Sequence, residues 1–333
     1  MRKLKWGVLG VAKIAVEKVI PAMQRGEVSQ IAAIASRDLG KARAAAERLA
    51  IPHAYGSYEE LLADSEIEAV YNPLPNDLHI PWSVKALEAG KHVLCEKPIA
   101  LNADGARSLI EARERSGKLA AEAFMVRYHP QWRRARELVS AGAIGAVNAI
   151  QTFFSYRLLD PGNLRNRPPG GGGLYDIGCY AVLTARYIFG AEPTRVIATL
   201  DRDPNFRTDR LVSAIVEFPG ARHLTLSVAT QLSGHQRVTI VGDAGRMEVA
   251  IPFNAPPDRP TRIMIDTGED LFGGGARVEE FPVCDQYTLQ GDAFSRAALG
   301  EGPLEFPLED AVLNMRVIDA LFRSAERGTW EKP

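Results

Sequence analysis

The chain has 333 residues, of which 46% are hydrophobic and 24% charged, and this globular composition excludes wholesale disorder. Its 40 basic and 41 acidic side chains leave a net charge of −1, with no cationic excess for nucleic acid or an anionic membrane surface. Three cysteines without a CxxC pair argue against a disulfide framework and a thiolate zinc site. The longest apolar N-terminal run, residues 8–12, is too short for a signal peptide or a membrane span. We therefore expect a soluble, cytoplasmic protein of two domains.

Residues 1–125 predict a nucleotide-binding domain built from alternating strands and helices. Short apolar runs typical of buried strands occupy residues 6–10, 31–35, 69–72, 92–95 and 120–124. Segments of helical period lie between them, at 39–49 and 80–89. This alternation predicts βαβ units and hence a doubly wound parallel sheet of the Rossmann type.

Residues 126–333 have a different pattern and predict an α+β domain with a large, mostly antiparallel sheet. Strand-like segments occur at 147–156, 194–201, 211–218, 223–230, 236–241 and 246–251. Turn signals separate them, including Pro219-Gly220 and Ser233-Gly234. Two helices are expected at about 175–189 and 308–327, each ended by a glycine.

The turn after the first strand has the pattern Gly10-x-Ala12-x-x-Ala15, a variant of the dinucleotide fingerprint. Gly10 would permit the tight turn, and Ala12 is small enough for close approach of a pyrophosphate. A helix starting near Lys13 and Ile14 would offer backbone N–H groups to the phosphates. The alternative is an ordinary turn of small residues.

The residues after the second strand favour NADP over NAD. Ser36 and Arg37 are followed one helical turn later by Lys41, and a hydroxyl with two cations suits a 2′-phosphate. Asp38 could still reach a ribose diol, so NAD is the less favoured cofactor. A solvated cluster of loop charges is the structural alternative.

Three residues indicate proton transfer coupled to hydride transfer. Lys97 follows a buried strand directly, and Asp176 and Tyr180 are spaced i, i+4, which predicts one shared helix face. A phenol, with a pKa of about 10, is a poor base at neutral pH unless a nearby cation stabilises the phenolate. A carboxylate could orient the substrate hydroxyl. The alternative makes Asp176 a helix cap, Tyr180 a core aromatic residue and Lys97 a surface residue.

Four segments carry a family resemblance: residues 6–10, residues 72–76 with His79, residues 89–98 including Glu96-Lys97-Pro98, and residues 171–180. The chain resembles the Gfo/Idh/MocA family of NAD(P)-dependent oxidoreductases over essentially its whole length. The resemblance implies a Rossmann domain followed by a substrate-binding domain whose open sheet often forms a homodimer or homotetramer. It also implies a commonly cis Lys97–Pro98 peptide, with Lys97 in the active site.

Many members of the family have a histidine four residues after the aspartate, where this chain has Tyr180. This difference, with residues 123–130, resembles the branch of glucose–fructose oxidoreductase, NADP-dependent D-xylose dehydrogenase and dimeric dihydrodiol dehydrogenase. By that resemblance Tyr180 is the acid/base, while Lys97 and Asp176 position the substrate and tune the tyrosine. The implied cofactor contacts are Asn72, Pro73, Leu74, Asn76, Glu96 and Arg127. Several relatives have a tyrosine where this chain has Val126, so Tyr128 is the candidate replacement for a substrate contact.

The remaining candidates leave structural and functional interpretations open. His79 either caps a helix or contacts the cofactor, and His129 either lines the substrate pocket or has a structural role. Arg165 either binds sugar hydroxyls or a cofactor phosphate, or belongs to a solvated loop. The histidines show no HxxxH or HExxH spacing, so we expect no metal site.

The predicted activity is NADP-dependent oxidation of a small-molecule carbohydrate, an aldopyranose such as D-xylose or D-glucose, to its lactone. The enzyme alternatives are a trans-dihydrodiol dehydrogenase and an NADPH-dependent ketosugar reductase. The alternative of another class is a non-catalytic NADP-binding sensor.

Overall fold

The computed structural model describes residues 2–333, and its elements are numbered in chain order. The strands β1–β14 span Leu4–Leu9, Ser29–Ala35, His53–Tyr55, Ala69–Asn72, His92–Glu96, Ala120–Ala123, Val147–Arg157, Arg195–Arg202, Asp209–Phe218, Arg222–Ala229, Gln231–Gly242, Arg246–Val249, Thr261–Asp266 and Ala276–Phe281. The helices α1–α9 span Ile20–Gln24, Leu39–Arg48, Tyr58–Ala63, Asn76–Glu88, Ala103–Ser116, Pro130–Ser140, Cys179–Phe189, Gln286–Ala298 and Leu308–Arg327. Short π-helical segments at Ala15–Val19 and Leu174–Gly178 lead into α1 and α7.

The first unit comprises Met1–Met125 and Asp285–Val312 and contains the predicted Rossmann sheet. Its six strands lie in the order β3-β2-β1-β4-β5-β6, and every neighbouring pair is parallel. The strand order reverses between β1 and β4, and ligands of doubly wound sheets bind at the carboxyl ends of strands beside such a reversal. Gly10, Asn72 and Lys97 follow or end β1, β4 and β5 at this edge.

The segment 285–312 packs in the first unit, whereas the sequence assigned it to a second domain of residues 126–333. The indole Nε1 of Trp6 donates a hydrogen bond to Ser295 Oγ at 3.0 Å, and the Trp6 ring lies 5.3 Å from that of Phe294. The buried indole needs both a polar partner and an apolar neighbour, and α8 supplies them. The N-terminal segment of the first unit ends at Met125.

The second unit comprises Val126–Cys284 and Leu313–Pro333 and is built on an eight-stranded sheet. The order is β14-β13-β12-β11-β7-β10-β9-β8, and all pairs are antiparallel except β10 with β7. One face is buried and includes Phe154, Leu224 and Ile240. The mostly antiparallel α+β domain expected from the sequence is therefore confirmed.

Two features of this sheet differ from the sequence prediction. Ser233-Gly234 is not a turn between strands, because β11 runs through it with a shift in register between Gln231 and His235. From Gln231 to His235, β11 advances four residues while β7 advances two, from Arg157 to Ser155, so two extra residues leave the ladder without ending the strand. The strands β13 and β14 were not predicted.

Polar caps and glycines set several helix ends. Ser57 and Asn102 accept hydrogen bonds from the backbone N–H groups of Glu60 and Gly105, at the starts of α3 and α5. The helix α7 ends at Gly190, whose φ of 58° is the left-handed conformation that glycine adopts without strain. Within residues 2–333, we find no helix with the length and hydropathy needed to span a membrane.

Candidate active site

The turn after β1 requires glycine at position 10. Gly10 has a φ of 89°, and an added Cβ would lie 3.0 Å from Leu74 Cδ2. Its N–H is held by the carbonyl of Ala35 at 2.8 Å. The following residues Ala12 and Ile14 are half-buried, while the exposed Lys13 pairs with Glu17 at 4.0 Å. A tight turn of small residues at a helix start fits the pyrophosphate of a dinucleotide.

The loop between β2 and α2 exposes basic side chains, whereas its carboxylate, that of Asp38, caps the following helix. Asp38 caps α2, because its Oδ1 accepts a hydrogen bond from the Lys41 backbone N–H at 3.2 Å. The Asp38 N–H in turn donates to Ser36 Oγ at 3.2 Å. Burial raises the pKa of Tyr58, and the adjacent Arg37 guanidinium opposes that rise. The exposed Arg37 and Lys41 therefore surround this strand end with positive charge, which suits a phosphate.

The end of β4 is held by buried hydrogen bonds. The Asn72 amide donates to His79 O and Ser83 Oγ, both at 3.0 Å, and its Oδ1 accepts from Leu74 N–H at 3.3 Å. The ring nitrogens of His79 lie 2.7 Å from Leu74 O and 2.8 Å from Pro98 O. His79 lies within α4 and does not cap it, so the capping role weighed in the sequence analysis is wrong: its ring contacts two backbone carbonyls outside the helix.

The end of β5 orients Glu96 and Lys97. Glu96 Oε1 accepts a hydrogen bond from the Tyr71 hydroxyl at 2.6 Å, and Oε2 accepts from Lys97 N–H at 3.2 Å. Burial and the neighbouring Glu96 raise the pKa of Tyr71, so it remains a proton donor to the carboxylate. The Lys97–Pro98 peptide is cis, as the resemblance implied, and Lys97 is half-buried.

Asp176 lies in the second unit and receives two donors on one oxygen. Its Oδ2 accepts a hydrogen bond from the Tyr156 hydroxyl at 2.6 Å and lies 3.0 Å from Arg165 Nε. Burial and Asp176 raise the pKa of Tyr156, which keeps that phenol protonated as a donor. Asp176 belongs to the π-helical turn Leu174–Gly178 and Tyr180 to α7, so the helix predicted here begins with a π turn. That both side chains share one helix face stays a prediction.

Tyr180 has apolar ring neighbours and a nearby cation. The ring is 6% exposed and packs 5.3 Å from Phe253 and 6.2 Å from Phe154, measured between centroids. The pKa of Arg165 is raised chiefly by Asp176 and also by a charge on Tyr180. By reciprocity, the Arg165 cation stabilises a phenolate at Tyr180. A phenol in this setting can exchange a proton with a bound alcohol.

The segment that follows β6 buries its polar residues. Arg127 is 5% and Tyr128 is 7% exposed. His129 caps α6, accepting a hydrogen bond from Gln131 N–H on Nδ1 at 3.2 Å, and its Nε2 lies 3.4 Å from Cys284 Sγ. Burial lowers the pKa of His129 to about 4, so the ring is neutral at physiological pH. The helix-capping role of His129 is present, and its contact with a substrate stays a prediction.

Sequence reasoning missed three residues that contact the candidate site residues: Tyr58 beside Arg37, Tyr71 on Glu96 and Tyr156 on Asp176. Each acts through a contact with a residue distant in sequence, and the periodicity of its own segment gives no signal of it. Cys95 and Cys179 are both buried, as packing residues are. In the described part of the chain, no group of three or more His, Cys, Asp or Glu side chains is placed to hold a metal ion.

Comparison with known proteins agrees with this architecture. Residues 4–124 match the oxidoreductase family with an NAD-binding Rossmann fold, and residues 132–248 match the GFO/IDH/MocA C-terminal domain. The chain is 49% identical to an uncharacterised oxidoreductase of Rhizobium meliloti, over 99% of each chain. It is 40% identical to a D-xylose 1-dehydrogenase (NADP(+)) of Haloferax volcanii, over 98% of each. A 3-ketoreductase from Actinomadura kijaniata, solved with NADP and TDP-benzene, is 28% identical with a TM-score of 0.91, over 97% of this chain and 98% of that one.

The fold and these matches define an oxidoreductase with an NAD(P)-binding Rossmann domain. The chain belongs to the Gfo/Idh/MocA family.

Proposed function

We propose that this protein is an NADP-dependent oxidoreductase that oxidises an aldopyranose, such as D-xylose or D-glucose, to its lactone. The observation that carries the proposal is the setting of Tyr180, a nearly buried phenol with aromatic neighbours whose phenolate is stabilised by Arg165. The similarity to a D-xylose 1-dehydrogenase over nearly the whole chain supports the choice of substrate class.

Each catalytic residue has a distinct task in this reaction. Tyr180 takes the proton of the anomeric hydroxyl as a general base. Asp176, oriented by its two donors, accepts a hydrogen bond from a substrate hydroxyl. Lys97 supplies a second cation that favours the phenolate, and the bound nicotinamide supplies the hydride acceptor. The substrate contacts we assign beside them are Tyr128, His129 and Arg165.

NADP is the proposed cofactor because of the loop after β2. A 2′-phosphate would be held by Arg37, Lys41 and the Ser36 hydroxyl. Asp38, the carboxylate that would favour a ribose diol, already caps α2. Support comes also from the NADP-dependent xylose dehydrogenase and from the NADP-bound ketoreductase. We assign the remaining cofactor contacts to the loop at 72–76, to Glu96 and to Arg127.

An NADPH-dependent ketosugar reductase is the second candidate, and the similarity to a 3-ketoreductase over 97% of the chain favours it. The same residues would serve in the opposite direction, with Tyr180 donating the proton to the developing alkoxide.

Replacing Tyr180 by phenylalanine tests the mechanism. In Tyr180→Phe we expect kcat for xylose or glucose with NADP to fall at least ~100-fold, because the acid/base is lost. The dissociation constant for NADP should not change. Tyr187→Phe is the matched control, since it removes the same hydroxyl from the same helix, α7, and should keep wild-type kcat.

Unchanged turnover in Tyr180→Phe would remove this residue from the mechanism. A wild-type protein that binds NADP but turns over none of the sugars, in either direction, would instead support a non-catalytic sensor.

A further inference from the structure

The glycine run before α7 meets a buried carboxylate. Gly172 has a φ of 112°, and a Cβ added there would lie 1.9 Å from Asp209 Oδ1. The run therefore brings its backbone against Asp209 more closely than any residue with a side chain would allow. The π-helical turn that carries Asp176 begins two residues later, at Leu174.

Asp209 is the first residue of β9 and is 1% exposed. Its Oδ2 accepts a hydrogen bond from the Leu174 backbone N–H at 2.6 Å, and the Gly173 N–H also points to this carboxylate. These N–H groups stand at the start of a helical segment, where they lack partners within the helix. A negative charge at this end also interacts favourably with the helix dipole.

We propose that Asp209 is a positioning residue whose carboxylate fixes the start of the segment from Leu174 and so the direction in which Asp176 and Tyr180 point. Asp176 is two residues and Tyr180 six residues beyond Leu174, so a change at this start moves both. The proposal rests on the proposed function, which gives these two residues the chemistry.

We call the contact of the Asp209 carboxylate with the N–H groups of Leu174 and Gly173 the clamp, and we expect it to depend on pH. Burial raises the pKa of Asp209 to about 6, against the N–H donors of Leu174 and Gly173 and the positive charge of Arg202 on β8. The other titratable groups facing it, Tyr156 and Tyr175, have raised pKa values, so they are neutral at physiological pH. The anion that accepts both N–H groups is therefore present above about pH 6 and lost below it.

Asp209→Asn tests this clamp, with Asp203→Asn as the matched control. Asp203 is also a buried aspartate of the second unit and accepts hydrogen bonds from the N–H groups of Asn205 and Phe206, both at 2.8 Å. At pH 7 we expect Asp209→Asn to lower kcat about 10-fold, the loss typical of a charged hydrogen bond, with unchanged NADP affinity. We expect the wild-type kcat to fall as the pH drops below about 6, and the kcat of Asp209→Asn to lack this fall. The control should keep the wild-type profile.

Hydrogen–deuterium exchange of a peptide covering residues 170–178 measures the clamp without any substrate. In the wild type, exchange corrected for its intrinsic pH dependence should rise as the pH falls through about 6. Asp209→Asn should exchange fast at pH 5 and pH 7 alike, while Asp203→Asn follows the wild type. Protection in the wild type that does not change with pH would overturn the proposal even if the Asn variant failed to fold.

Failure of the clamp can be distinguished from failure of the proposed function. Wild-type turnover absent from the whole sugar panel would refute the proposed function and leave the exchange experiment to decide on the clamp. The clamp would be overturned, and the proposed function would stand, if Asp209→Asn kept the wild-type kcat and the wild-type protection from exchange. The same holds if Asp203→Asn lost as much protection as Asp209→Asn.

Discussion

At Asp176 two donors converge on one oxygen, and their chemistry differs. Arg165 supplies a permanent cation at 3.0 Å, while Tyr156 supplies a neutral hydroxyl at 2.6 Å from a residue whose pKa is raised. The cation favours the ionised carboxylate, and the hydroxyl fixes its orientation. Tyr156 is thus held protonated, as a hydrogen-bond donor to the Asp176 carboxylate.

Removing the Tyr156 hydroxyl tests this division of roles. We expect Tyr156→Phe to lower kcat/KM about 10- to 100-fold, because a hydrogen bond to a charged group is lost. In an Asp176→Asn background the same change should add little, since both act through one carboxylate. Steady-state kinetics of the wild type, the two single variants and the double variant give the coupling energy between Tyr156 and Asp176. Tyr55→Phe is the control, because its hydroxyl makes a similar 2.8 Å bond to Asp64 Oδ2 in the first unit.

Fully additive losses in the double variant would show that Tyr156 acts independently of Asp176. A loss as large in Tyr55→Phe would mean that the effect comes from general destabilisation.

Among the elements, the start of α2 bears most directly on cofactor choice. Residues 37–41 supply both the helix cap, through Asp38, and the basic groups Arg37 and Lys41. Because the Asp38 carboxylate caps the helix, the side chains that remain facing outward from this loop are the cations Arg37 and Lys41.

Arg37→Ala should weaken NADP binding about 10-fold or more, since a charge-assisted contact to the 2′-phosphate would be lost. NAD has no such phosphate, and its affinity should change little. Fluorescence titration with both reduced cofactors gives the ratio of their two dissociation constants. Arg43→Ala removes an exposed arginine from α2 itself and serves as control. Equal weakening of NADP and NAD by Arg37→Ala would contradict the assignment.

Periodicity predicted most elements, and the helix expected at about 308–327 is observed at Leu308–Arg327. The sequence prediction was wrong or incomplete where a residue pattern typical of one structure occurs in another. Ser233-Gly234 forms a bulge instead of a turn, and the π turn at 174–178 has no distinct spacing of its own. Lys97, Asp176 and Tyr180 belong to sequence motifs, so the sequence alone identifies them as candidates. Tyr156 and Asp209 act on residues 20 and 35 positions away, and only the folded sheet brings these pairs together.

At the scale of the whole molecule, the eight-stranded sheet has one face that its own unit leaves partly exposed. Phe153 on β7 is 36% exposed, Ile215 on β9 is 40% and Val241 on β11 is 39%. Between them on the same face lie short polar side chains such as Thr225 and Ser227. A broad face of this composition suits a partner surface better than a fully solvated one. We propose that it forms a homodimer, or a homotetramer that includes the same contact.

Ile215→Arg should disrupt this assembly, because it places a charge in an apolar contact. Light scattering after size exclusion should give a multiple of the chain mass for the wild type and a single chain mass for the variant. Val283→Arg, at a residue outside the strands that is 53% exposed, is the control and should keep the wild-type mass. A monomeric wild type would contradict the proposed assembly.

The proposed reaction, oxidation of an aldopyranose with NADP, can be followed by the absorbance of reduced nicotinamide. The protein is mixed with NADP, or separately with NAD, across aldopyranoses, inositols and cyclic diols. We expect reduction of the cofactor with D-xylose or D-glucose, faster with NADP than with NAD. Turnover confined to a cyclic diol, or to NAD, would contradict the proposal. An absence of oxidation, together with oxidation of NADPH by a ketosugar, would contradict it in favour of the reductase.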